Sequence, residues 1–141
     1  MTKKEALANY LRPTRQVIEI EDIESTYDDC IFNWQGEEYL VVTDAEADER
    51  AAEYIRASVW AFQASWIADF TPEGIDTEEI ESLRGDRCEA VNKGLIALIN
   101  AGTGMQAFID ASIAADGRGH FLSRYDSEEH AEGSFFIYRL Y

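Results

Sequence analysis

The chain has 141 residues and a mass of 16.0 kDa, with 28 Asp and Glu against 12 Lys and Arg and a formal charge of -16. That balance makes bare DNA, RNA and anionic membranes poor partners and basic protein surfaces good ones. Seven Phe, seven Tyr and three Trp in a chain that is 46% hydrophobic exclude a disordered acidic tail, and no apolar run reaches the ~18 residues of a bilayer span.

A chain of this size is expected to fold as one domain, 1–141, without repeat or linker. Met1-Thr2-Lys3-Lys4 leads into no apolar stretch, so no secretory signal is read and the expected compartment is cytoplasmic. Cys30 and Cys88 stand in no metal spacing and are expected to be two buried, reduced thiols. Lysine occurs three times against nine arginines, a bias that high-salt adaptation also produces.

Residues 3–11 predict a short amphipathic helix with Ala6, Leu7, Tyr10 and Leu11 on one side, ended by Pro13. Val17, Ile18 and Ile20 follow among acids without a clear period, as irregular chain or a helical turn. Cys30–Trp34 and Glu38–Val42 flank a Gly-containing turn and are rich in aromatic and β-branched residues, which predicts a β-hairpin. Thr43-Asp44-Ala45-Glu46 is a capping box, and Asp44, Glu46, Asp48 and Glu49 load the helix start where the dipole favours negative charge. Ala47, Ala51, Ile55, Val59 and Phe62 then recur at helical spacing, so a long helix is expected to reach Trp60–Trp66 before Thr71-Pro72-Glu73-Gly74.

Asp76-Thr77-Glu78-Glu79 starts a helix or helix pair over 77–99, with Ile80, Leu83, Cys88, Val91, Leu95, Leu98 and Ile99 apolar. Asn100–Gly104 is a stop, and a further helix over 105–115 is expected to bury Phe108, Ile109, Ile113 and Ala111. The β-prone stretch 134–140 has no partner beside it and is expected to join the 30–42 hairpin. The fold class is therefore α+β: a small antiparallel sheet of about three strands packed against several helices.

Asp116 through Asp126 gathers two carboxylates, two guanidiniums, an imidazole, a hydroxyl and a phenol, with glycines on both sides of Arg118. One reading makes Asp116, Arg118, His120, Arg124, Tyr125 and Asp126 a ligand loop, the arginines clamping an anion and His120 serving as acid or base. The other makes them a structural or interface brace, Arg118 and Arg124 paired with nearby acids. Gly117-Arg118-Gly119 lacks the strand, third glycine and helix of a dinucleotide site, and no P-loop or serine nucleophile is present. His120 and His130 form no i, i+4 pair on a predicted helix, so no metal is expected. No catalytic residue and no cofactor is assigned. Trp34, Trp60 and Trp66 read first as core residues. Trp60 and Phe62, two apart on a helix, cannot face one neighbour, so one of that pair is open to the surface, and Trp60 and Trp66 are the interface candidates.

Glu38–Glu49, Ser58-Val59-Trp60-Ala61-Phe62 and Asp116–Asp126 leading into Tyr138-Arg139 together resemble small acidic proteins encoded by bacteriophages and other mobile elements. The resemblance covers most of the chain beyond residue 30. It carries over no functional residue and implies a context, a phage or plasmid product acting in a bacterial host.

The leading functional expectation is an interaction protein, not an enzyme, that inhibits a host nucleic-acid-handling defence system of the antirestriction or anti-CRISPR type. Its carboxylates would occupy sites on a basic nuclease or effector that otherwise hold phosphates, which duplex DNA presents at about one per 1.7 Å of axis. The alternatives are a small-ligand binder or enzyme using 116–126, and an accessory phage protein, homo-oligomeric, whose acidity serves solubility alone.

Overall fold

A computed structural model describes residues 1–13 and 19–141. Val17 and Ile18 lie outside the described residues, whereas Ile20 opens a single 3-10 turn, Ile20–Asp22. The chain divides into two compact units, Met1–Ala51 with Asp116–Tyr141, and Ala52–Ala115.

The first unit is built on a five-stranded antiparallel sheet: β1 (Glu24–Ser25), β2 (Ile31–Trp34), β3 (Glu37–Thr43), β4 (His130–Glu132) and β5 (Phe135–Arg139), in the order β1-β2-β3-β5-β4. The β2–β3 hairpin closes over Gln35-Gly36, both at positive φ (47° and 80°), with Trp34 opposite Glu37. Positive φ at both central residues gives the turn the hand that matches strand twist. The C-terminal strand joins β3 in the expected place, pairing Leu40 with Tyr138 and Val41 with Ile137.

The sheet has five strands rather than three because two short edge strands escape any periodicity argument. β4 supplies the neighbour that β5 lacks in the sequence reading, across a turn at Gly133. Both edges are short and carry charge, which discourages pairing with another chain.

Helix α1 (Lys3–Leu11) is capped by the Thr2 hydroxyl, which accepts the Glu5 amide at 3.1 Å. It lies against β3, β4 and β5. Ala6, Leu7, Ala8 and Leu11 pack with Ile23, Phe32, Trp34, Tyr39, Val41 and Ile137 in one hydrophobic cluster. Each fully buried leucine there contributes roughly 1.5–3 kcal/mol. By strand alternation, Leu40, Val42 and Tyr138 occupy the opposite face and are also buried. The capping box forms as expected: Glu46 Oε1 accepts the Thr43 amide at 2.9 Å and Thr43 Oγ1 accepts the Glu46 amide at 3.2 Å.

Helix α2 (Asp44–Ala57) follows, with Ala47, Ala51 and Ile55 buried. It does not continue to Trp60–Trp66. Ser58 donates its hydroxyl to the Tyr54 carbonyl, the chain tightens into a 3-10 turn at Val59–Ala61, and a separate α3 spans Ala64–Ala68. Side chains distant in sequence hold that break. Asn92 donates to the Arg56 carbonyl and accepts the Trp60 amide, while Arg84 donates to the carbonyls of Trp60 and Phe62. Apolar spacing alone cannot register such partners.

The rest of the second unit is helical: α4 (Thr77–Arg84), a 3-10 turn at Cys88–Val91, α5 (Asn92–Ala101) and α6 (Met105–Asp116). Asp76 caps α4 by accepting the Glu79 amide at 2.9 Å. Its core joins Ile67, Ile80, Leu95, Ile99, Phe108 and Ile109, with Phe62 and Phe70 edge-on to Phe108 at 5.1 and 5.2 Å. On α6 it is Ser112 that is buried, with Ile113 and Ala111 half-buried, because the Ser112 hydroxyl accepts the Trp66 indole N–H at 3.1 Å. Cys30 is buried but Cys88 is exposed. The chain turns at Gly85 and places Cys88 at φ 50° outside the α4 and α5 faces. No helix among the described residues is long and apolar enough to cross a membrane.

Candidate functional site

Residues 118–122, expected as part of a loop, form a short helix α7 (Arg118–Leu122) after Gly117 at φ 84°. Gly119 is required by close approach. A methyl group built on it would run into the Ser127 carbonyl, so α7 lies directly on the following backbone. Phe121, Leu122 and Ser123 are buried, which seats α7 in the first unit and fixes where Arg118 points.

Arg118 reaches three carboxylates of its own chain. Its Nε donates to Glu129 Oε1 at 2.9 Å, and its Nη1 to Asp44 Oδ1 at 2.9 Å, Asp48 Oδ1 at 3.0 Å and the Asp44 carbonyl at 3.1 Å. The guanidinium carbon also stands 4.7 Å from the centre of the Phe136 ring, a cation–π contact. The side chain keeps only 12% of its surface exposed. Burial pulls the guanidinium pKa down, but its hydrogen bonds to the Glu129 and Asp44 carboxylates outweigh it and hold the pKa above its ordinary value. The Tyr138 hydroxyl donates to the same Glu129 oxygen. Burial, reinforced by that bond, pushes its phenol pKa well up.

Of the other candidates, Asp126 and Tyr125 make contacts near their own positions. Asp126 Oδ1 accepts the Glu128 amide at 3.0 Å and lies 2.7 Å from Ser123 Oγ, an Asx-type turn. Tyr125 lies under the Arg139 guanidinium at 3.6 Å, and Arg139 pairs with Glu37 at 3.1 Å. Asp116, His120 and Arg124 are exposed, His120 edge-on to Phe121 at 4.9 Å. Among the described residues, no hydrogen bond, ion pair or ring contact joins Arg118, His120 and Arg124 to one another. His130 is half-buried and stacks on Tyr10 at 4.9 Å. No group of three or more His, Cys, Asp or Glu among the described residues could hold a metal ion.

No family model, curated protein or solved structure matches this chain. The surface therefore carries the functional argument, and it shows a sorting of charge.

In the first unit four cations pair with acids of their own chain, Lys3 with Glu46 at 3.0 Å, Arg50 with Asp28 at 2.8 Å, and Arg118 and Arg139 as above, while Arg12 and Arg124 are exposed. Glu19, Glu21, Asp22 and Glu24 are exposed with no ion-pair partner among the described residues, and no Lys or Arg occurs between 19 and 49. Tyr27, within this acidic stretch, is fully exposed at 102%.

The second unit has ten acids and four cations. Asp69, Glu73, Asp76, Glu78, Glu79 and Glu81 are exposed over a stretch with no Lys or Arg. Arg84 and Arg87, which follow, are engaged with main-chain carbonyls. Trp60 and Trp66 are half-buried, and Trp66 is tied to Ser112 and stacks on Phe70 at 5.3 Å. The exposed aromatics are instead Tyr27, Tyr54, Tyr125 and Tyr141.

Sequence reasoning assigned no partner to Lys3, Asp28, Arg50 or Glu129, because each finds it 11 to 43 positions away. For Tyr27 a local signal exists in the polar run Ser25-Thr26-Tyr27-Asp28-Asp29, which offers an aromatic ring no apolar neighbours.

Proposed function

We propose that this protein is a binding protein that engages a basic, nucleic-acid-handling surface of another protein and competes there with nucleic acid. The observation that carries this reading is the sorting of charge. Lys3, Arg50, Arg118 and Arg139 neutralise carboxylates of their own chain, and the acids of 19–24 and 69–81 stand exposed with no ion-pair partner among the described residues. Such patches attract Lys- and Arg-rich surfaces over about a Debye length, ~8 Å at physiological salt. The exposed Tyr27 ring adds an anchor on which a partner's arginine can stack. In the bacterial mobile-element setting that the sequence resemblance implies, the partner is a host defence nuclease or effector complex in the cytoplasm, and binding blocks its access to DNA or RNA.

The test is a titration of the protein into DNA cleavage reactions run by purified restriction and CRISPR effector nucleases at low and raised salt. Inhibition that weakens with salt, and weakens again in the paired reversals Glu21→Lys with Glu24→Lys or Glu78→Lys with Glu81→Lys, supports the reading. Binding unchanged by salt or by both reversals removes it.

A further inference from the structure

Lys3 and Cys30 come from the first turn of α1 and the entry to β2, 27 positions apart, yet Lys3 Nζ lies 3.1 Å from Cys30 Sγ. Glu46 Oε2, from the first turn of α2, is 3.0 Å from that nitrogen and 3.5 Å from that sulfur. A carboxylate thus touches both members of an amine–thiol pair. Cys30 is buried, whereas the side chains of Lys3 and Glu46 keep 22% and 37% of their surface, so the cluster meets solvent on its amine–carboxylate side. Arg50, fixed by Asp28, and the Cys30 amide, which donates to Asp28 at 2.9 Å, hold the sulfur's backbone in place.

We propose that Lys3 and Cys30 form a site of reversible oxidative cross-linking, in which a peroxide-class oxidant generates a covalent bond between Lys3 Nζ and Cys30 Sγ. In the first step the sulfur attacks a peroxide oxygen. The S–O bond forms, the O–O bond breaks and water leaves with the thiol proton, so that sulfur is oxidised by two electrons to the sulfenic acid.

In the second step Lys3, having released a proton to solvent on the exposed side of the cluster, attacks the sulfur. The N–S bond forms, the S–O bond breaks, and the oxygen leaves as water with a proton taken from solvent. The nitrogen then sheds its remaining extra proton to solvent, while the Glu46 carboxylate holds the amine beside the sulfur. One thiol, one ammonium and one hydrogen peroxide give one sulfenamide, two waters and one proton. The separation is already that of reacting atoms held for attack, ~3–3.5 Å. The bond ties the first turn of α1 to the sheet, and a dithiol reductant reverses it by returning the thiol and the amine.

The experiment uses the full chain carrying Cys88→Ser, which removes any disulfide between the two cysteines, treated with hydrogen peroxide and then quenched. The expected result is an intact mass lower by two hydrogens, a peptide map joining Lys3 to Cys30, a higher melting temperature, and recovery of the original mass with dithiothreitol. The Lys3→Arg variant keeps the positive charge beside Glu46, and its melting curve before treatment establishes that it is folded. It should gain oxygen on Cys30 and form no bridge. Oxygen accumulating on Cys30 with Lys3 free, a bridge to a different amine, or the same loss of two hydrogens in Lys3→Arg would overturn the proposal.

Discussion

Replacing Arg118 by Met keeps the aliphatic stem and removes every polar contact of the guanidinium. The cost follows from the exposure of the three carboxylates left behind. Asp44 and Asp48 are 72% and 61% exposed and regain water easily, whereas Glu129 is 33% exposed and also receives the Tyr138 hydroxyl. The full penalty for breaking a buried pair, ~3–5 kcal/mol, is therefore too large. The value for a fully exposed pair, ~0–1 kcal/mol, is too small for a cation only 12% exposed. A loss of ~2 kcal/mol lies between them and matches the range for hydrogen bonds to charged groups. For a chain of this length that is a drop of ~6–8 °C in Tm.

Thermal and urea unfolding of Arg118→Met and Arg118→Lys at low and moderate salt measures it. Lysine carries the charge but lacks the planar fork, so it should recover only part of the loss. The part contributed by exposed Asp44 and Asp48 should shrink with salt. A Tm for Arg118→Met within ~1 °C of the parent would refute the brace and favour a cation held ready for a ligand.

Other contacts of the fold set three further outcomes. The Thr43 amide, with help from Lys3, holds the Glu46 carboxyl down at about 2 against an ordinary 4.5. A depressed acid stabilises the fold above its unfolded pKa and loses that contribution as pH falls through the folded one. Glu46→Gln should therefore melt lower than the parent at pH 7, and the difference should fade between pH 4.5 and about 2. In the second unit, a methyl at Gly102 would meet the Phe70 carbonyl and the Thr71 backbone. Gly102→Ala should cost ~1–3 kcal/mol by urea denaturation, while Gly94→Ala, whose Cβ meets nothing within 4 Å, should be neutral or stabilising.

The sequence by itself determined the local structure. The capping boxes at Thr43 and Asp76, the helix over 3–11, the hairpin around Gln35-Gly36 and the β character of 134–140 are written in contiguous residues. Propensity, capping and alternation act over three or four positions, and those are the distances a sequence displays. The same reach explains what it left undecided. The break after Ala57 depends on Asn92 and Arg84, the exposure of Cys88 on the turn at Gly85, and the short strands at 24–25 and 130–132 on neighbours that pair with them.

The candidate site divides in the same way. The run 116–126 was legible as a dense polar cluster, but its composition is equally that of a ligand loop and of a brace. Only the fold, by carrying α7 to the start of α2 and to the residue before β4, placed Asp44, Asp48 and Glu129 around Arg118. The total of -16 is a property of composition. Which carboxylates are spent on the chain's own cations and which are left facing outward is a property of tertiary structure, because an ion pair between residues 70 positions apart exists only once the backbone has brought them within 3 Å.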